Sequence, residues 1–219
     1  MSGVQTLDLR GAPDQDLTSV VSHLRSDGLV AYPTETVYGL GGACTPAAIG
    51  RVQRLKGRDD DKPLLVLVSG PEDVASLHWN EDARALAEIF WPGSVTLVLA
   101  DPQEVFPPGV RSPEGAVGVR VSPHPVTRRL LEAFGAPLTS TSLNRTGEPP
   151  VSSGAQAREL LSEMGALDAV LLDGGALPAS GPSTVVDCTG KTPTVLREGV
   201  IPVGRLRCVL PEIHGIRID

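Results

Sequence analysis

The stretch "LVAYPTETVYGLGG", residues 29–42, runs an apolar segment straight into a crowded polar turn. The run through Tyr32 has the continuous apolar character of a strand covered on both faces. Pro33 interrupts it, and Thr34, Glu35, Thr36 and Tyr38 then set hydroxyls and a carboxylate beside Gly39, Gly41 and Gly42. In open α/β sheets ligands sit outside strand ends, where loops converge and glycines let backbone N–H groups come close. Two readings therefore stand side by side. One is a loop that holds a ligand; the other is a Pro–Gly turn whose threonines and tyrosine are ordinary strand residues.

Working outward, the same kind of apolar run recurs. Residues 64–68, 94–100, 116–121, 136–141, 168–173, 183–188 and 192–197 read as strands beside 28–33. Helical spacing appears between them at 17–28, 45–58, 81–90, 124–135 and 152–165. Residues 45–58 carry the clearest punctuation: Thr45 as N-cap, Pro46 at the first helical position, and Ile49, Val52 and Leu55 as the buried stripe. Strands alternating with helices predict an α/β fold, a twisted sheet of about seven or eight strands with flanking helices. The last strands follow one another without helices, so the sheet is expected to be mixed. Residues 101–115 form a Pro/Gly-rich loop, either a flap or a long surface connection, and one domain over 1–219 is the expected organisation.

Composition narrows the function. The 219 residues are 41% hydrophobic but only 3% aromatic, so the core rests on Val, Leu, Ile and Ala. A formal charge of −7 excludes a general polyanion binder, and phosphate binding must come from a local cationic cluster. Cys44, Cys188 and Cys208 lie far apart, which argues against a disulfide framework or a zinc site and fits a reducing cytosol. No apolar stretch approaches the ~18 residues of a membrane span, and the first residues lack a signal-peptide pattern. A cytoplasmic protein is expected. The Walker, Rossmann, nucleophile-elbow and H-E-x-x-H signatures are all missing.

Three further polar clusters remain. "RVQRLKGRDDDKP" (51–63) places Lys56 and Arg58 on either side of Gly57, where both can aim at phosphate or carboxylate or simply complement a helix C-terminus. "TSTSLNRTGEPP" (139–150) runs a strand into hydroxyls and Asn144, suited to phosphate or to side-chain-closed turns. "SGPSTVVD" (180–187) and "LREG" (196–199) add Ser183 and Arg197.

In this order, "PTETVYGLG", "KGR....PL", "TSLN.TGEPP", "STVVD" and "LREG.I" resemble the successive motifs of the YrdC/Sua5 family of threonylcarbamoyl-adenylate synthases. The resemblance covers about residues 15–205, and it implies a mixed sheet around a cationic cavity. It also implies that L-threonine, bicarbonate and ATP are joined into threonylcarbamoyl-AMP and pyrophosphate. The product would pass to the tRNA threonylcarbamoyl transferase machinery, which modifies adenosine 37. Lys56 and Arg58 match the family's KxR pair and are the implied catalytic and ATP-binding cations, with Ser142, Asn144 and Arg197 on the phosphates. Thr34, Tyr38, Arg120 and Ser183 are the implied threonine and carbamate ligands. Glu35 is either a base or a turn cap, with the cap preferred. Mg2+ is implied as the companion of ATP, held by phosphate oxygens and water and not by a dedicated protein site.

Three departures stand out: Asp59 follows the KxR pair in place of proline, Leu143 replaces the alanine of "SAN", and Leu67 stands where many members carry histidine. The chain length implies the short, single-domain form. Two rival readings stay open, a carbamoyl-phosphate-using adenylate enzyme and an RNA-binding module, with weak RNA binding also compatible with the enzyme. Lys56→Ala and Arg58→Ala are expected to lower activity without unfolding the protein.

Overall fold

The alternating pattern resolves into ten strands and six α-helices among residues 3–11, 15–57 and 62–215, the residues that the computed structural model describes. The strands are β1 (Gln5–Asp8), β2 (Val30–Pro33), β3 (Tyr38–Gly41), β4 (Leu65–Leu67), β5 (Val95–Ala100), β6 (Ala116–Arg120), β7 (Leu138–Ser142), β8 (Val170–Asp173), β9 (Thr184–Asp187) and β10 (Thr194–Arg197). The helices are α1 (Thr18–Arg25), α2 (Pro46–Lys56), α3 (Glu81–Phe90), α4 (Pro125–Phe134), α5 (Gly154–Glu163) and α6 (Val203–Arg207). All strands join one sheet in the order β1-β8-β2-β3-β7-β4-β6-β5-β9-β10. The β1/β8, β2/β8, β4/β6 and β5/β9 pairs are parallel; β2/β3, β3/β7, β4/β7, β5/β6 and β9/β10 are antiparallel.

Ten strands replace the seven or eight expected. The two extra ones break the rules by which strands are read. β1 is a four-residue edge strand, three of whose residues are exposed, so it has no apolar run. β3 is "YGLG", half glycine and so poor in strand propensity. It forms because the turn at 34–37 folds it back on β2, with Pro33 opposite Tyr38 and Val30 opposite Gly41. Its other neighbour comes very close. A Cβ on Gly41 would lie 1.7 Å from the Thr139 carbonyl oxygen, so only glycine fits there.

Helix α2 follows its punctuation. The Thr45 hydroxyl accepts from the Ala48 N–H at 3.2 Å, Pro46 opens the helix, and Gly57 closes it at φ 52° in the left-handed region. Helix α1 stops at Arg25, short of the expected Gly28, and Asp27 turns the chain at φ 59°.

The sheet is covered unequally. Period-two alternation sends Val30, Tyr32, Leu67, Leu138, Val170 and Leu172 to one face, where they pack with Leu24 of α1 and Leu130 and Leu131 of α4. Ala31, Leu40, Val66, Leu97, Val119, Leu171 and Val186 take the other face with side chains of α2, α3 and α5. The α1/α4 face continues beyond Leu67 and Leu138 into Leu65, Ser140 and Ser142, which border a cavity in place of a helix.

The 101–115 loop is anchored to the body of the fold. The Asp101 carboxylate, 1% exposed, accepts from the Val105 and Phe106 N–H groups at 3.0 and 2.9 Å, with Arg111 3.8 Å away. Phe106 and Val110 enter the core, and the Gly109 carbonyl accepts from the Leu64 N–H at 2.7 Å.

One cap is sensitive to pH. The His124 ring accepts from the Val126 N–H at 3.3 Å to start α4, which requires a bare Nδ1. Burial lowers its pKa below the ordinary 6.5, with the Glu35 charge opposing. The unfolded chain then binds this proton more readily, so the contribution is present above pH 6.5 and is lost as the pH falls through the lowered value. His124→Asn keeps a capping acceptor, and it is expected to flatten the stability–pH slope below 6.5 relative to the unaltered protein in urea titrations.

Candidate active site

The uncovered sheet face floors a cavity of about 830 Å3. Residues of six floor strands line it, at alternate positions on most: Leu65 of β4, Ser140 and Ser142 of β7, Ala116, Gly118 and Arg120 of β6, Thr96 and Val98 of β5, and Val185 and Asp187 of β9. The register irregularity of β10 brings both Leu196 and Arg197 to the lining. Their intervening neighbours Leu97, Val117, Val119 and Val186 face the core. Thr34, Thr36 and Gly39 form another wall, and Ser112 and Glu114 border it from the anchored loop. A Cβ on Gly118 would touch nothing closer than 3.6 Å, so this glycine lowers the floor and makes room.

Of the nine residues singled out in the sequence, Thr34, Arg120, Ser142, Ser183 and Arg197 line the cavity. Arg58 lies outside the described residues. Lys56 and Asn144 converge with Ser142 but stand behind the wall. The Lys56 ammonium donates to the Ser142 carbonyl at 3.0 Å, to the Asn144 carbonyl, and to Asn144 Oδ1 at 2.7 Å. Asn144 Oδ1 also accepts from the Ser142 hydroxyl at 2.7 Å, and its Nδ2 donates to the carbonyls of Arg145 and Glu148. Lys56 is thus the clamp of the 142–144 turn. Leu143 points into the core, so the departure from alanine leaves Ser142 and Asn144 in place.

Tyr38 is a correction. Its hydroxyl donates to the Gly175 carbonyl at 2.7 Å and accepts from the Gly174 N–H, away from the cavity. Burial and the Asp173 charge push its pKa up to about 12, so it stays a protonated donor there. Tyrosine in an alternating strand has two faces to choose from, and the motif did not say which.

Thr34 closes the turn and also borders the cavity. Its hydroxyl donates to the Val37 carbonyl at 2.7 Å and accepts from the N–H groups of Thr36 and Val37. Glu35 is a second correction, since it neither caps that turn nor faces the cavity as a base. Its Oε1 accepts from the Ser94 hydroxyl at 3.0 Å and pairs with Arg120 Nη1 at 3.4 Å, and its Oε2 accepts from the Ser122 hydroxyl at 2.7 Å.

Arg120 is the most deeply buried cation on the lining, its side chain 6% exposed and its Nε without a hydrogen-bond partner. Burial lowers its pKa while Glu35 raises it, and a guanidinium stays charged. Arg197 donates to the Ser183 carbonyl at 2.9 Å and to its hydroxyl at 3.3 Å, and that hydroxyl sits 2.9 Å from Thr96 Oγ1. Burial, and then the Arg120 charge, lower the Arg197 pKa. The expected positive excess is not present among the described lining residues: Arg120 and Arg197 face Glu114 and Asp187. Hydrogen bonds from its own backbone N–H and from Ser112 keep Glu114 ionised. Further positive charge comes from Lys56 behind the wall.

Thr96 and Ser140, each at most 4% exposed, were missed: Thr96 interrupts the apolar β5 with a hydroxyl, while Ser140 sits among the hydroxyls of β7. A buried hydroxyl in an otherwise apolar run is the signal that would have found Thr96; in β7 every second hydroxyl, Ser140 with Ser142, shares the cavity face. Leu67 lies in the α1/α4 core beside Leu138, with no polar atom to offer a ligand.

Comparison with known proteins places this geometry. A family model described as "Sua5_yciO_yrdC: Telomere recombination" matches residues 22–199. The chain is 31% identical over 214 residues to a threonylcarbamoyl-AMP synthase of Bacillus subtilis, covering 96% of this chain and 61% of that protein. It is 41% identical over 179 residues to the threonylcarbamoyl-AMP synthase of Chromohalobacter salexigens, covering 78% and 91%. Pyrococcus abyssi Sua5, solved in complex with L-threonine, superposes with a TM-score of 0.87 at 32% identity, covering 97% of this chain and 62% of that one. The chain thus spans about six-tenths of the length of the Bacillus protein and of the Pyrococcus structure. With the family model spanning 22–199 and the Bacillus identity running over nearly the whole length, the chain belongs to the Sua5/YciO/YrdC family.

Proposed function

We propose that the chain joins L-threonine, bicarbonate and ATP into threonylcarbamoyl-AMP and pyrophosphate, for transfer to adenosine 37 of tRNA in the cytoplasm. The observation that carries this reading is one hydroxyl-lined cavity holding two guanidiniums, Arg120 with an unpartnered buried Nε and Arg197 on the Ser183 side. The names of the Bacillus and Chromohalobacter relatives support it.

The chemistry asks for that layout. Bicarbonate takes up a proton and loses water, giving CO2; the threonine nitrogen adds to that carbon and loses a proton, giving a carbamate. A carbamate oxygen then attacks the α-phosphorus of ATP, and the bond to the bridging oxygen of pyrophosphate breaks. Both reactants are anions, so the protein's task is to offset repulsion and align them. Arg120 takes the amino-acid carboxylate, flanked by Thr34 and Ser183. Arg197 and Ser142 take phosphate oxygens, with Lys56 fixing the Ser142 turn and Arg58 adding charge from the segment after Gly57.

Mg2+ accompanies ATP. Glu114, Asp187 and the lining hydroxyls are hard oxygen donors, which suit an ion held largely by phosphate oxygens and water. When bound, it neutralises phosphate charge. Among the described residues no helix is long and apolar enough to cross a membrane.

Purified protein given ATP, Mg2+, bicarbonate and threonine is expected to release pyrophosphate. Omission of threonine or of bicarbonate should abolish the release, and mass spectrometry should detect the adenylate. Release that is indifferent to threonine would instead favour a carbamoyl-phosphate substrate.

A further inference from the structure

Building on the proposed function, we propose that Glu35 is the positioning residue that holds the Arg120 guanidinium in register for the carboxylate of the amino-acid substrate. Three segments converge on this carboxylate. Ser94 precedes β5, Ser122 follows β6, and Glu35 sits in the turn that Thr34 closes. Ser94 and Ser122 donate one hydroxyl to each oxygen, at 3.0 and 2.7 Å, and Arg120 Nη1 lies 3.4 Å from Oε1. The Ser122 oxygen accepts in turn from the His124 N–H at 3.3 Å, which ties the network to the start of α4.

The arrangement divides the guanidinium. Its Nη1 corner is held by Glu35, while Nε, on a side chain 6% exposed that borders the cavity, has no partner. A buried N–H without an acceptor is costly, and a guanidinium edge matches the two oxygens of a carboxylate. Glu35 is itself 16% exposed and does not border the cavity among the described residues, so it meets the ligand only through Arg120. Both its oxygens already accept hydroxyl protons, which leaves it poorly placed to take a proton from the threonine nitrogen. Its charge also opposes the loss of the Arg120 proton that burial favours. The role is aim, because the pair as a whole is neutral.

Steady-state pyrophosphate release, resolved into separate KM values, tests this. Glu35→Gln keeps the shape and removes the charge. It is expected to raise the threonine KM by about tenfold and to leave the ATP KM within about twofold. It should melt earlier than the unaltered protein because Arg120 loses its buried counter-charge, so rates are measured well below both midpoints. Glu35→Asp should recover part of the threonine affinity, and Glu35→Gln combined with Arg120→Ala should be no worse than Arg120→Ala alone. If Arg120→Ala impairs threonine use while Glu35→Gln does not, the inference falls. If Arg120→Ala also leaves the threonine KM unchanged, the carboxylate subsite lies elsewhere and the inference falls with it. If the unaltered protein shows no threonine-dependent release, the proposed reaction fails separately. Calorimetric binding of L-threonine to the unaltered and Glu35→Gln proteins then decides the positioning role: tenfold weakening supports it, and equal or absent binding overturns it. Should Glu35→Gln not fold, Ser122→Ala removes one donor, and a threonine-specific rise in KM is again the supporting result and an unchanged KM the overturning one.

Discussion

Lys56→Ala is expected to lose about a hundredfold in activity and also to melt earlier. The reading from sequence alone anticipated the first effect without the second. Lys56 is 9% exposed and its ammonium donates to two backbone carbonyls and the Asn144 side chain, so its removal leaves buried acceptors bare. Charge-assisted bonds are worth about 1.5–3 kcal/mol each and do not simply add, so a loss of about 3 kcal/mol is a reasonable expectation. For a chain of this size that lowers the midpoint by roughly 6–12 °C. The activity loss follows from the same contacts, because the Ser142 hydroxyl is oriented by Asn144 Oδ1, which Lys56 holds. Thermal melts combined with pyrophosphate release, measured well below both midpoints, separate the two losses. Melting identical to that of the unaltered protein would show that the 142–144 turn stands without its clamp.

Gly41→Ala is expected to be worse still for the fold. The added methyl would lie 1.7 Å from the Thr139 carbonyl oxygen, 2.7 Å from its carbon and 3.0 Å from the Tyr32 hydroxyl. Two of those three atoms are backbone and cannot rotate aside. β3 lies between β2 and β7, and the Gly42 and Thr139 backbones are hydrogen-bonded at 2.8 Å, so relief means opening the middle of the sheet. A loss above about 4 kcal/mol or a failure to accumulate soluble protein is expected. Gly39→Ala is the control, with its nearest contacts at 3.1 Å to side-chain atoms of Ser140 and Tyr32, and it should be milder. Urea unfolding that places Gly41→Ala within about 1 kcal/mol of the unaltered protein would refute the argument.

What the sequence disclosed depended on how local each cause is. The α2 cap, proline and terminal glycine act within one turn and were readable, as were the long apolar strands β5 and β6. β3 was opaque, because a glycine-rich strand exists only through its two neighbours. In the site, Arg120, Ser142 and Arg197 each end a strand and were found there. Tyr38 was misplaced because which way an alternating strand turns its residues is decided by the partner sheet face. The Glu35–Arg120 pair joins residues 85 positions apart in the chain (120 − 35), and no local pattern announces it.

The alternation along β5, β6 and β9 separates cohesion from chemistry residue by residue: Leu97, Val119 and Val186 hold the molecule together, while Thr96, Gly118 and Asp187 meet whatever enters. Such a scaffold can exchange one ligand preference for another through every second position, without renegotiating its interior. Descendants that act on different small anions would be expected to diverge along the even-numbered residues of β5 and β6 and to agree along the odd ones.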